Sequence, residues 1–271
     1  MGYFRPHRLE DALAALSAGP PVILAGGTDH FPARVGHTPD EDILDISALP
    51  GLRAIERRGD GWWIPCGATW SDLIEAGLPP VFDALAGAAR RVGGAQVQNA
   101  GTLVGNLCNA SPAADGIPCL MALDAEVEIA SLAGRRTVPV GAFVLGARNT
   151  ALRAGEMALG VPVPSAEGMA SAFLKLGSRE YLVISIAMVA VAARIADGRI
   201  AEARVAVGAC GPRAERLPEL EASLIGQSAA RPDLDPAHFA RLTPIDDIRA
   251  PASYRRMAAV EITRRALMAL A

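Results

Sequence analysis

Two glycine-rich segments interrupt the first half of the chain and constrain its fold more than any other feature. The first, Ala25-Gly26-Gly27-Thr28-Asp29, follows the apolar run Val22–Ala25, and the second spans positions 101–106. Neither has the G-x-G-x-x-G spacing of a Rossmann turn or the G-x-x-x-x-G-K-[ST] spacing of a P-loop. Glycine lets consecutive backbone amides point one way and removes the Cβ that would hold a phosphate off. Two interpretations therefore stay open for each segment: an anion-binding turn, or an ordinary tight turn.

The second segment is followed by a cluster of polar side chains, Asn106, Asn109, Ser111 and Asp115, among small and apolar residues. Amide and carboxylate groups of this kind suit the ring carbonyls of a flavin and the hydroxyls of a ribose. The alternative is that they cap irregular backbone, and that Asp115 caps a helix over 118–123. Lys175 stands in an apolar strand, where a lysine must point to solvent or meet an anion.

Composition excludes several classes of function. The chain has 271 residues, 51% of them hydrophobic, enough for one large domain or two ordinary ones. Its net charge of −3, without a basic block, argues against nucleic acid as a partner. The longest apolar run, 182–193, is shorter than the roughly 20 residues of a membrane span and predicts a buried strand. No apolar signal region follows residues 1–5, so a cytoplasmic location is expected.

The chain shows no pattern of a metal site or of a hydrolase. Its cysteines, Cys66, Cys108, Cys119 and Cys210, form no C-x-x-C pair, and its histidines lack metal-ligand spacing. A G-x-S-x-G turn is also missing. We therefore expect reduced, structural thiols, no iron–sulfur cluster held by this chain, and no catalytic residue of its own.

The order of predicted elements indicates an α+β fold. Helices are predicted over 9–16, 82–91, 215–225 and 254–270. Strands are predicted over 22–25, 43–46, 52–57, 62–66, 126–130, 137–140, 157–163, 170–176, 183–195 and 200–207. Thr69 and Asp72 form a capping-box pattern, and Asp197-Gly198 a hairpin turn. The segment 93–115 has little helical periodicity. The prolines and polar residues near 162–168 mark a boundary between domains 1–165 and 169–271.

Taken together, the stretches "LAGGTDHFPARVG" and "NAGTLVGNLCNASPAAD" resemble the flavin-binding subunit of molybdenum hydroxylases. This family includes the FAD subunits of xanthine dehydrogenase and the medium subunit of aerobic carbon monoxide dehydrogenase. The stretches "SAFLKLGSREYLVISIAMVAVAARI" and "DDIRAPASYRRMAAVEITRRAL" are similar to its C-terminal domain. The resemblance covers nearly the whole chain, in the order of the family.

The resemblance implies a p-cresol methylhydroxylase-type domain, in which FAD lies extended between two α/β subdomains, followed by a domain of antiparallel strands packed with helices. The family's second motif, Thr-x-Gly-Gly-Asn, stands here as Thr102-Leu103-Val104-Gly105-Asn106, with Val104 in place of a glycine. The cofactor-binding residues implied by the resemblance are Leu24, Ala25, Gly26, Gly27, Thr28, Asp29, His30, Phe31, Val92, Thr102, Val104, Gly105, Asn106, Asp115, Leu159 and Lys175.

The resemblance also implies partners. A large subunit would carry the molybdenum cofactor and the substrate site, and a small subunit would carry two [2Fe–2S] clusters, in a dimer of heterotrimers. Electrons would reach FAD on this chain and leave to an acceptor such as NAD or quinone. Two alternatives remain: a self-sufficient flavin oxidoreductase of the same flavin fold, and a binding or assembly module whose FAD site has decayed.

Overall fold

The first sheet is small and parallel. The structure, a computed structural model, describes residues 2–36 and 40–271. The first elements are β1 (Tyr3–Phe4), α1 (Leu9–Ala18), β2 (Val22–Leu24) and β3 (Ile43–Asp45). The strand order is β1-β3-β2, and α1 buries Ala12, Leu13 and Leu16 on one face. The predicted first helix and first two strands are confirmed, and β2 ends where the first glycine-rich segment begins.

Helices of fewer than eight residues follow. They are α2 (Trp70–Glu75), α3 (Asp83–Ala89), α4 (Ala95–Ala100), α5 (Leu103–Asn109), α6 (Gly116–Ala122) and α7 (Val140–Phe143). The capping box is confirmed: the Thr69 hydroxyl accepts from the Asp72 amide, and the Asp72 carboxylate accepts from the Thr69 amide.

The sequence analysis missed α4 and α5, which occupy the segment judged to have little periodicity. Each is too short for a 3.6-residue repeat to stand out. In addition, no residue of α4 is buried, so its sequence carries no apolar stripe.

A second sheet is antiparallel. The strands up to residue 163 are β4 (Glu56–Arg58), β5 (Gly61–Pro65), β6 (Glu126–Ser131), β7 (Gly134–Pro139), β8 (Val144–Gly146), β9 (Asn149–Thr150) and β10 (Met157–Val163). Five of them form a sheet in the order β4-β5-β10-β6-β7, while β8 and β9 pair as a separate hairpin. The predicted hairpin around Gly59-Asp60-Gly61 is confirmed by the pairing of β4 with β5.

The C-terminal part is an antiparallel sheet with helices. Its elements are β11 (Ala170–Leu176), β12 (Ala187–Ala196), β13 (Arg199–Gly208), β14 (Glu215–Arg216), α8 (Pro218–Leu224) and α9 (Ala252–Met268). The strands follow the order β11-β12-β13-β14. Asp197 and Gly198, with φ of 50° and 71°, turn β12 into β13 as predicted. The strand predicted from residue 183 begins only at Ala187.

Strand β12 is buried on both faces, which explains its continuous apolar sequence. Val189 and Val191 belong to a core shared with α8 and α9, whereas Met188, Ala190 and Ala192 belong to the core of the preceding residues. The chain is thus a mixed α and β protein whose two parts share a packed face. The boundary at 165–169 and the division of the first part into two subdomains stay predictions.

Within the described ranges, we find no helix long and apolar enough to cross a membrane.

Candidate cofactor-binding site

A cleft of about 690 Å³ is lined by both glycine-rich segments. Its walls come from the loop after β2, the junction of α4 with α5, and the first residues of β10. The volume lies within the range of about 300–1,000 Å³ typical of small-molecule and cofactor pockets. The predicted residues that line it are Leu24, Ala25, Gly26, Gly27, Thr28, Asp29, His30, Val92, Thr102, Val104, Gly105 and Asn106.

Glycines of both segments allow the two walls of the cleft to approach closely. A Cβ on Gly26 would lie 1.8 Å from the carbonyl oxygen of Ala100, and a Cβ on Gly101 would lie 3.1 Å from Thr28 Oγ1. Gly27 has φ of +67°, and its Cβ would lie 2.6 Å from the ring of Phe31. The sequence analysis attributed the missing Cβ atoms to room for a phosphate. At Gly26 the structural reason is instead close approach of the α4–α5 junction.

The first segment presents unused backbone donors. In the described part of the protein, the amides of residues 26–29 donate no hydrogen bond to a backbone or side-chain acceptor. The left-handed Gly27 sits within this run, and such a conformation lets neighbouring amides converge on one anion. These amides therefore fit the diphosphate of a dinucleotide cofactor.

The second segment presents the start of α5. Thr102 Oγ1 accepts a hydrogen bond of 3.0 Å from the amide of Gly105. The amide of Val104, second in the helix, has no helical carbonyl ahead of it. Val104 lines the cleft, and it is 3% exposed and belongs to the hydrophobic core. Asn106 Oδ1 is buried and has no hydrogen-bond partner in the described residues.

Four predicted residues lie outside the cleft wall. Phe31 is exposed and packs edge-on against His30, with ring centroids 5.1 Å apart. Leu159 is buried in the core and lines a smaller pocket elsewhere. Asp115 and Lys175 are paired with each other. The predicted cofactor contact of these residues stays a prediction.

Asp115, Lys175 and Ser185 form a buried polar cluster between the two parts of the chain. Lys175 Nζ donates to Asp115 Oδ2 at 2.6 Å, and Ser185 Oγ donates to Asp115 Oδ1 at 3.0 Å. The side chains of Lys175 and Asp115 are 7% and 5% exposed. Burial raises the pKa of Asp115, and the Lys175 ammonium opposes that rise.

This cluster answers two questions left open by the sequence. Lys175 meets an anion rather than solvent, as one of the two readings of its apolar strand required. Asp115 directly precedes α6, but its side chain makes no capping hydrogen bond, so the capping alternative is wrong for the side chain.

Other cleft residues carry no signal in the sequence. They include Arg34, Cys66, Trp70, Val97, Cys108, Arg148, Met157 and Ala158. Burial raises the pKa of the Cys66 and Cys108 thiols to about 12 each, so both are uncharged at neutral pH. With Trp70, Val97 and Met157 they add uncharged, mostly apolar groups to the lining of the cleft. Only the fold brings these residues to the cleft.

Comparison with known proteins agrees with this site. Residues 1–166 match the family model described as FAD binding domain in molybdopterin dehydrogenase, and residues 172–270 match the CO dehydrogenase flavoprotein C-terminal domain. The chain therefore belongs to the family of FAD-binding subunits of molybdopterin-dependent dehydrogenases, and it is an oxidoreductase subunit.

Among its relatives is the nicotine 6-hydroxylase medium subunit of Paenarthrobacter nicotinovorans. It is 30% identical over 275 residues, which cover 98% of this chain and 95% of the relative. The xanthine dehydrogenase FAD-binding subunit of Escherichia coli O157:H7 is 33% identical over 230 residues, covering 81% and 77%. A chain of carbon monoxide dehydrogenase from Hydrogenophaga pseudoflava superposes with a TM-score of 0.88 at 30% identity, covering 100% of this chain and 96% of that one.

Proposed function

We propose that this chain is the electron-transferring FAD subunit of a molybdenum hydroxylase. In this proposal it receives electrons from [2Fe–2S] clusters on a small partner subunit and passes them to an external acceptor such as NAD or quinone. A large partner subunit carries the molybdenum cofactor and the substrate site, and the three chains assemble as a dimer of heterotrimers. The names of the relatives support this assignment, since they are medium or FAD subunits of dehydrogenases and hydroxylases.

The single observation that carries the proposal is the run of unused amides at 26–29 facing a cleft of cofactor size. Four donors left without a protein acceptor are costly unless a ligand or water satisfies them. A diphosphate supplies charged oxygen acceptors for the amides of such a turn. We therefore assign the diphosphate of FAD to the first segment.

The remaining cleft residues orient the cofactor and exclude water. The buried Oδ1 of Asn106 accepts a hydrogen bond from a cofactor hydroxyl or ring N–H, which satisfies its unpaired acceptor. The start of α5 adds the Val104 amide as a donor. Trp70, Val97 and the uncharged thiols of Cys66 and Cys108 contribute apolar lining to the cleft. Bound FAD would supply the redox chemistry, because a flavin can take up two electrons and give them up singly or as a pair.

The chain contributes no acid, base or nucleophile in this proposal. None of the substrates purine, aldehyde, N-heterocycle or carbon monoxide is therefore expected to reduce the flavin of the purified protein alone. Flavin bleaching by one of these substrates under anaerobic conditions should appear only after the large and small subunits are added. Bleaching by the isolated chain would favour the self-sufficient oxidoreductase instead.

Cofactor content provides the direct test. Acid precipitation of the purified protein should release FAD into the supernatant, since the cleft offers hydrogen bonds rather than a covalent link. A protein that stays colourless after incubation with FAD would favour the decayed module. Flavin that stays in the precipitate would contradict non-covalent binding.

A further inference from the structure

Arg148 reaches the cleft from a part of the chain that no sequence motif marks. It occupies the turn between β8 and β9, with φ of 59°. Its amide donates to the carbonyl of Ala110 at 2.9 Å, and Ala110 ends α5 in the left-handed conformation. The turn is thus tied to the helix whose first residues line the cleft.

The Arg148 side chain acts on the first glycine-rich segment through one amide. Its Nη1 donates to Asn109 Oδ1, and Asn109 Nδ2 donates to Asp29 Oδ2 at 2.9 Å. A guanidinium can only donate, so it requires the oxygen of Asn109 and leaves the NH₂ group for Asp29. Arg148 therefore sets the orientation of Asn109, and through it the position of Asp29.

The charges of the cleft give Arg148 a second role. Two arginines line it, and Arg34 forms an ion pair of 2.5 Å with Glu41. In the part of the chain that the structure describes, Arg148 forms no ion pair with a carboxylate, and Asp29 forms none with a cation. A diphosphate at the 26–29 amides would lie beside the Asp29 carboxylate, and like charges at short range repel. Arg148 is the cleft cation that remains to offset this repulsion.

We propose that Arg148 is the counter-charge of the cofactor diphosphate and holds Asp29 in place through Asn109. This inference rests on the proposed function, since it requires that the cleft binds FAD. A guanidinium suits the task because its planar fork can donate to Asn109 and to a phosphate oxygen together.

The test compares the apoprotein of three full-length chains: wild type, Arg148→Gln and Arg148→Lys. Quenching of flavin fluorescence measures FAD affinity at several salt concentrations. Arg148→Gln should weaken FAD binding roughly ten- to a hundredfold, the range expected for a lost charge-assisted hydrogen bond. It should also make the salt dependence less steep, because one phosphate-facing charge is gone. Arg148→Lys should recover part of the affinity and the steeper salt dependence.

Arg231→Gln is the matched control. Arg231 is exposed, lies outside the cleft, and forms no ion pair in the described residues, so its removal changes net charge equally. Its FAD affinity should equal that of wild type. An Arg148→Gln chain that binds FAD as tightly as a wild-type chain would overturn this inference and leave the proposed function intact. Weakened binding with an unchanged salt dependence would also overturn it, since the loss would then be structural. A wild-type chain that binds no FAD would overturn the proposed function as well.

Discussion

The amides at 26–29 and the cluster around Asp115 differ in whether their polar groups have hydrogen-bond partners within the protein. Within residues 2–36 and 40–271, the first has consecutive donors without a protein acceptor at the wall of an open cleft. The second buries a carboxylate and gives each of its oxygens a donor, Lys175 or Ser185. Unsatisfied donors beside a cavity favour a ligand, whereas satisfied buried charges favour one arrangement of the protein. The first region is thus suited to binding, and the second to holding the two parts of the chain together.

The largest expected effect comes from breaking the cluster. Lys175→Met leaves the Asp115 carboxylate buried without its cation, which should lower the free energy of unfolding by about 3–5 kcal/mol. Urea denaturation measures this loss. The double variant Lys175→Met/Asp115→Asn should recover most of it, because no unpaired charge remains.

The same variant tests the comparison itself. Lys175 is the chain's only lysine. If Lys175→Met kept its stability but lost FAD, the cluster would be part of the cofactor site, as the sequence resemblance implies. The distinction between a binding region at 26–29 and a structural cluster at Asp115 would then be wrong.

The next effect concerns the close contact between Gly26 and Ala100, where the two cleft walls meet. Gly26→Ala places a Cβ 1.8 Å from the Ala100 carbonyl oxygen, so the backbone must shift. Overpacking of this kind costs about 1–3 kcal/mol, and the shift should also abolish FAD binding by moving the 26–29 amides. Gly19→Ala is the control, because nothing lies within 4 Å of its added Cβ and its φ of 177° suits any residue. Equal behaviour of the two variants in thermal unfolding and flavin titration would contradict this account.

The smallest effect sharpens the role of Ser185. Ser185→Ala removes the 3.0 Å hydrogen bond to Asp115 Oδ1 and leaves the ion pair. The unfolding free energy should fall by about 1 kcal/mol, the usual worth of one such bond. FAD affinity should stay at the wild-type value. A change in affinity without a change in stability would place Ser185 at the cofactor instead.

The sequence predicted most of the elements because their signals are local. Thr69 and Asp72 define a helix start by their own spacing, and Asp197-Gly198 defines a hairpin by its turn chemistry. Strand β12 was predicted from its long apolar run, although residues 183–186 of the predicted strand precede its observed start at Ala187. Helices α4 and α5 were missed because helices of six and seven residues carry too few positions to show a repeat.

The candidate site was predicted only in part. Both glycine-rich segments were found, since glycine clusters are visible in a single sequence. The structural requirement for glycine at position 26 was not predicted, because the atom that excludes a Cβ there belongs to Ala100. The pairing of Lys175 with Asp115 joins residues 60 positions apart, and the bridge from Asn109 to Asp29 spans 80. No local pattern specifies such pairs.

By itself, the sequence determined the family, most of the helices and strands, and the turns that present backbone amides, because these depend on residue type and near neighbours. The tertiary structure alone decided which polar groups are satisfied and which remain open to a ligand. It brought Arg148 to the cleft, paired Asp115 with Lys175, and left the 26–29 amides without an acceptor among the described residues. The physical reason is that hydrogen bonding and charge pairing depend on distance in space, which only the packed chain defines.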